Sequence, residues 1–130
     1  MLSEEIKSLK GLNSSIVEGL IQIADIEYER ILISYDKLLE FIELIKENNC
    51  IIFTGNTYVD YEGDLTQYIE GFWSVPESIL DNSNEDEWSK RSCEYSAQVV
   101  EKIKLAKPDE ELYCDLSFMN ANEYKLLESV

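Results

Sequence analysis

Cys50-Ile51-Ile52-Phe53-Thr54, then Gly55-Asn56, then Tyr58-Val59-Asp60-Tyr61 running through Glu62-Gly63-Asp64 into Leu65 to Trp73: the reading of this stretch decides the fold. Its first five residues are short, apolar and β-branched, as a buried strand requires. Gly55-Asn56 punctuates the chain. The residues after it alternate, turn at Glu62-Gly63-Asp64 and return, which reads as a β-hairpin. Alternation places Tyr58 and Asp60 on one face and Val59 and Tyr61 on the other.

Upstream lies the clearest helix. Ser34 suits an N-cap, Asp36 suits the positive end of the helix dipole, and Leu38, Phe41, Ile42 and Ile45 form an apolar stripe. Asn48-Asn49 tolerates the left-handed stop before the strand. Before Ser34 the chain reads mostly helical. A short turn follows Ser3 and ends near Gly11, and a second helix is capped by Ser14 or Ser15, with Val17, Leu20, Ile21 and Ala24 on one face. Ile26 to Ile33 fits either a strand or an extension of that helix. Downstream, Ser74 to Asn84 reads as a loop. Ser83 or Asn84 is then expected to cap a long helix whose first turn is Glu85-Asp86-Glu87 and which keeps Trp88 in the core. Pro108 closes it. Leu112, Cys114, Leu116 and Phe118 alternate as a half-buried strand, and Asn120 with Glu123 resembles a capping box for a last short helix. Helices, strands, helix, strand, helix: the order predicts an α+β fold, one compact domain over residues 1–130, with a small antiparallel-rich sheet packed against several helices.

The charge narrows the function. The 130 residues carry 27 Asp and Glu against 11 Lys and Arg, a net charge of −16, and no histidine, while 45% of the chain is apolar. Such a chain folds, and its anionic exterior favours a cationic partner. The basic residues, Lys90-Arg91 and Lys102, Lys104 and Lys107 among them, are too scattered for a nucleic-acid surface. Cys50, Cys93 and Cys114 are odd in number and widely spaced, which suits reduced thiols in a cytoplasmic protein. Leu2-Ser3-Glu4-Glu5 is no secretory leader, and no apolar run is long enough to span a membrane.

Catalytic equipment is not legible, and we read the chain as a non-enzyme with no cofactor and no metal site. There is no histidine to act as base or ligand, no nucleophile elbow and no phosphate loop. Asp60 to Asp64 only faintly suggests a calcium loop and lacks the closing glutamate. The notable constellation is aromatic and acidic: Tyr58, Asp60, Tyr61, Glu62, Asp64, Tyr68, Glu70, Phe72 and Trp73 within sixteen residues. Some of these rings must pack on the helices. The remainder read as a protein-binding surface in which Tyr58, Tyr61, Phe72 and Trp73 anchor while Asp60, Glu62, Asp64 and Glu70 steer.

From Ser34 to Ile103 the chain resembles the bacterial polymorphic-toxin immunity proteins of the family numbered forty. The shared order is an apolar helix ending in Glu47-Asn48-Asn49, the strand Cys50 to Phe53, the turn-like Thr54-Gly55-Asn56-Thr57-Tyr58, the aromatic run Tyr68 to Trp73, and a helix opened by Trp88 with Arg91-Ser92. Asn56 stands where that pattern has an acid, and Tyr68-Ile69-Glu70-Gly71-Phe72-Trp73 replaces an Asp-Asn-Trp run. The resemblance implies an immunity protein that occludes a cognate toxin domain, a nuclease with a basic surface being the expected target. The rival readings are an acidic nucleic-acid mimic acting on a host DNA- or RNA-binding protein, and a small carboxylate- or metal-dependent enzyme.

Overall fold

The computed structural model describes residues 4–24 and 29–128. Ser34 does what its sequence context asks: its side chain accepts from the Asp36 N–H at 3.3 Å and opens the central helix. The elements run α1 (Glu4–Lys7), α2 (Ser14–Glu18), β1 (Leu20–Ala24), β2 (Glu29–Ser34), α3 (Tyr35–Glu47), β3 (Cys50–Tyr61), β4 (Asp64–Ser74), α4 (Trp88–Ala106), β5 (Leu112–Asn120) and α5 (Ala121–Glu128). Short 3₁₀ turns cover Glu77–Leu80 and Asn82–Glu87. Asn49 takes a φ of 54°, ending α3 in the left-handed region and turning directly into β3.

The five strands form one antiparallel sheet in the order β1-β2-β5-β3-β4. The fold is α+β, as expected. One face of the sheet buries Cys50, Ile52 and Val59 of β3, Leu112 and Cys114 of β5 and Trp73 of β4. They pack with Leu38, Phe41, Ile42 and Ile45 of α3 and Cys93, Val100 and Ile103 of α4. Phe41 meets Phe118 edge to face at 6.0 Å between ring centres. The opposite parity of β3 supplies a second cluster. There Ile51, Trp88 and Ala121 are buried with Phe53, Leu80 and Tyr124 against them, so Trp88 is core, as its place in the sequence suggested. Where the β3–β5 register shifts between Ile52 and Thr54, the Ile52 N–H donates to the buried Ser92 hydroxyl at 3.1 Å, tying sheet to helix.

Three expectations change and one open reading settles. The second helix stops at Gly19 with Asn13, not a serine, as its cap, and Leu20–Ala24 is a strand. Glu29–Ser34 settles as strand; Ser3 and Ile26 to Tyr28 lie outside the described residues. Gly55-Asn56 does not break β3, which runs on to Tyr61. Glu85-Asp86-Glu87 belong to the 3₁₀ turn, and α4 starts only at Trp88 without a side-chain cap. Among the described residues no helix is long and apolar enough to cross a membrane.

Candidate functional site

The β3–β4 hairpin carries every residue of the aromatic-acidic constellation, and β4 lies at the edge of the sheet. Glu62 and Gly63 both have positive φ, 56° and 93°, the signature of a two-residue type I′ turn whose twist matches the strands. Asp60 fixes the turn by accepting the Gly63 N–H at 2.7 Å. Tyr61, Glu62 and Asp64 are exposed at this tip.

Further along β4 the pairing is interrupted. Gly55 faces Trp73 and Thr57 faces Tyr68, so the single residue Asn56 opposes the four residues Ile69 to Phe72. This bulge pushes Ile69 and Phe72 outward, 79% and 50% exposed, with Glu70 between them. It is held from inside. The Thr57 hydroxyl, fully buried, donates to the Gly71 carbonyl at 2.7 Å and lies 2.7 Å from the Tyr35 phenol. Because the single Thr57 proton is spent on Gly71, Tyr35 is the donor to Thr57. Burial pushes the Tyr35 phenol far above its usual range, which keeps that proton in place. Gly71 is required here, since a Cβ would come within 2.6 Å of Thr57 Cβ.

The eight predicted contact residues therefore divide. Tyr61, Glu62 and Asp64 gather at the tip, with Asp60 half-buried beneath them; Glu70 and Phe72 sit at the bulge, further along β4. Two aromatics leave the surface. Trp73 is 5% exposed, its indole N–H donating to buried Ser96 at 3.2 Å across to α4. Tyr58 is 9% exposed, closed in by its strand neighbours Gln67 and Tyr113. Both had been expected as anchors, and neither stands exposed: Trp73 fills the core face against α4, whereas Tyr58, on the face of β3 opposite Val59, is covered by its neighbours there.

Ile69 is the residue that sequence reasoning missed. The extra residues in β4 break the alternation that would have announced it as outward. Leu65, half-buried, and Gln67, which donates to Asn56 at 2.9 Å, complete the same edge. Tyr68 bridges the edge to the body: its hydroxyl donates to Glu70 at 3.2 Å and Lys107 sits 5.3 Å above its ring. Partial burial, then the Glu70 bond, raise the Tyr68 phenol above its usual range.

Lys107 over the Tyr68 ring apart, the hairpin's acids carry no salt bridge among the described residues. Among the described residues no Lys or Arg pairs with Glu62, Asp64 or Glu70, whereas Lys37–Glu40, Lys46–Glu43 and Lys125–Asp86 are paired elsewhere. No three acidic or thiol side chains among the described residues converge as a metal-binding set. The segment read as a loop, Ser74 to Asn84, is partly tied down. Val75 is buried with its N–H on Phe53, and Asp81 accepts the Trp88 indole N–H at 2.9 Å.

Compared with models of known families, with curated proteins and with solved structures, the chain matches none.

Proposed function

We propose that this chain is an immunity protein that neutralises a toxin domain by covering its cationic, substrate-binding surface. One observation carries the reading: the β3–β4 hairpin exposes Tyr61 at its tip beside Glu62 and Asp64, and Ile69 and Phe72 at the β4 bulge beside Glu70, with no Lys or Arg among the described residues bridged to these carboxylates. Apolar anchors rimmed by one sign of charge are what a tight, electrostatically steered contact needs. The net charge of −16 extends the field beyond the edge, and a nuclease must be positive where it holds phosphate. The motif order from Ser34 to Ile103 supports the same class. Two cavities bear on the enzyme reading. The larger, about 490 Å³, is lined by Leu9, Asn48, Cys50, Phe118, Met119 and a single acid, Glu123, besides Ser8 and Asn120. The smaller, about 190 Å³, sets Asp36, Glu110 and Glu111 beside Lys104 and Lys107, so its charges are mixed.

The test is co-expression of the C-terminal domain encoded immediately upstream, with and without this chain, scoring growth. Rescue with a stable complex of nanomolar affinity is expected. A toxic domain that this chain neither binds nor relieves would overturn the reading, and copurification with host DNA- or RNA-binding proteins alone would favour the mimic.

A further inference from the structure

The hairpin leaves main-chain groups that no other described strand uses. Its turn has two residues, so Tyr61 and Asp64 exchange both ladder bonds, and the residues that face β3 beyond them are Thr66 and Tyr68. Leu65 and Gln67 alternate with these and turn their N–H and C=O groups away from the sheet. The parity is confirmed on the other side of β3, where Asp60, the partner of Leu65, sends its N–H to Glu111 at 3.0 Å. Among the described residues no strand lies beyond β4.

Sheet edges of this length are normally blunted with lysine, proline or an inward charge. The sequence of β4, Asp64-Leu65-Thr66-Gln67-Tyr68-Ile69-Glu70-Gly71-Phe72-Trp73-Ser74, contains no Lys, Arg or Pro. Its bulge ends the flat portion at Tyr68 but projects Ile69 and Phe72 beside it. Its charges are Asp64 and Glu70, one at each end of the open stretch.

We infer that the bound toxin adds a strand to β4: an extended segment bearing Lys or Arg pairs with the main chain of Leu65 and Gln67, its cations meeting Asp64 and Glu70, and its apolar surface receiving Ile69 and Phe72. The chemistry selects this occupant over a second copy of the chain. Antiparallel self-pairing about Gln67 sets Asp64 of one copy against Glu70 of the other, between bodies that each carry −16. A cationic strand reverses both terms. Main-chain bonds supply affinity here and flanking side chains supply selectivity. The inference rests on the toxin-neutralising reading above.

The experiment is amide hydrogen exchange, residue by residue, on the free protein and on its complex with the upstream-encoded domain. In the free chain, Leu65 and Gln67 exchange fast while Thr66 and Tyr68 are protected. In the complex, Leu65 and Gln67 slow by at least about tenfold. Gln67→Pro removes the outward N–H, which an edge strand tolerates, along with the side-chain bond to Asn56, and lowers affinity by about tenfold or more; Gln67→Ala loses the same side-chain bond but keeps the N–H, and binds within about threefold of the parent. Retained protection at Thr66 and Tyr68 in Gln67→Pro shows that the hairpin is intact. A complex in which Leu65 and Gln67 stay fast, or in which Gln67→Pro binds as Gln67→Ala does, overturns strand addition and leaves the immunity reading standing. No complex at all overturns both.

Discussion

The indole of Trp73 occupies the space that a side chain at position 55 would need. A Cβ on Gly55 would lie 2.2 Å from Trp73 Cζ2, and the two residues are cross-strand partners in the β3–β4 ladder. The glycine is thus a packing requirement, and it lets a large ring lie flat over β3 while its N–H reaches Ser96 on α4. Gly55→Ala is expected to cost about 1–3 kcal/mol through overpacking. Trp73→Ala, which empties the same site, is expected to cost about 3–5 kcal/mol. Because the two residues touch, the double variant should lose measurably less than the sum of the singles. Chemical denaturation of the three variants checks this; strict additivity would contradict the contact.

The chain of hydroxyls behind the bulge has a direction, and so should its variants. Thr57→Val leaves the Gly71 carbonyl and the Tyr35 phenol without their buried partner, an expected loss of about 1–3 kcal/mol. Tyr35→Phe removes only the outer donor and leaves Thr57 bonded to Gly71, so it should cost less. If the proposed function holds, the same ranking should appear in toxin affinity, because the bulge presents Ile69 and Phe72. Denaturant melts paired with calorimetric titration would detect a reversal of the order.

Surface and interior aromatics should separate cleanly. Ile69→Ala, Phe72→Ala and Tyr61→Ala are expected to leave the melting temperature within about a degree or two, since each side chain is at least half exposed. On the proposed function, at least one should weaken toxin binding by more than about 2 kcal/mol. Replacing Glu62, Asp64 and Glu70 together by their amides should slow association by about tenfold at low salt and matter far less at about 0.5 M NaCl, where the Debye length is short. Stopped-flow association rates at two salt concentrations measure it. Equal slowing at both would argue against electrostatic steering.

Alkaline pH should destabilise the fold. Burial pushes the Cys93 thiol up from 9.0 to about 12 and raises Cys114 and the Tyr35 phenol as well. In each case the folded chain keeps a proton that the unfolded chain releases. Unfolding therefore sheds protons, and this stabilisation is complete below about pH 9 and declines as pH rises through the thiol range toward about 12. Melting temperatures at constant ionic strength should fall between about pH 8 and about pH 11, and Cys93→Ala should flatten part of that fall. A melting temperature that rises over this interval would refute the assignment.

Much of the architecture was legible in local chemistry. Ser34, the stripe from Leu38 to Ile45 and the left-handed Asn49 bound α3 because each acts within its own turn of chain. The β3–β4 turn at Glu62-Gly63 and the alternation from Leu112 to Phe118 were equally plain. What failed depended on distant partners. Leu20, Ile21 and Ala24 fit helical spacing, but the Ser34 N–H bonds Gly19 and β2 draws the segment into a ladder. Trp73 carries the same ring chemistry as Phe72, and Tyr58 as Tyr61; only the neighbouring strands and helices decide which ring of each pair is covered. Ile69 was hidden for the same reason, since a bulge is a relation between two strands and not a property of either.

The sheet order also sets a schedule for biosynthesis. The hairpins β1–β2 and β3–β4 are local and can form as they emerge, yet they meet only through β5. Translation passes Ser74 and must travel on to Leu112 before the joining strand begins, roughly 2–8 seconds at about 5–20 residues per second. Throughout that interval the inner edge of β3, apolar from Cys50 to Phe53, stands open beside whatever nascent chains are near. The length of that wait is written into the position of a single nine-residue strand.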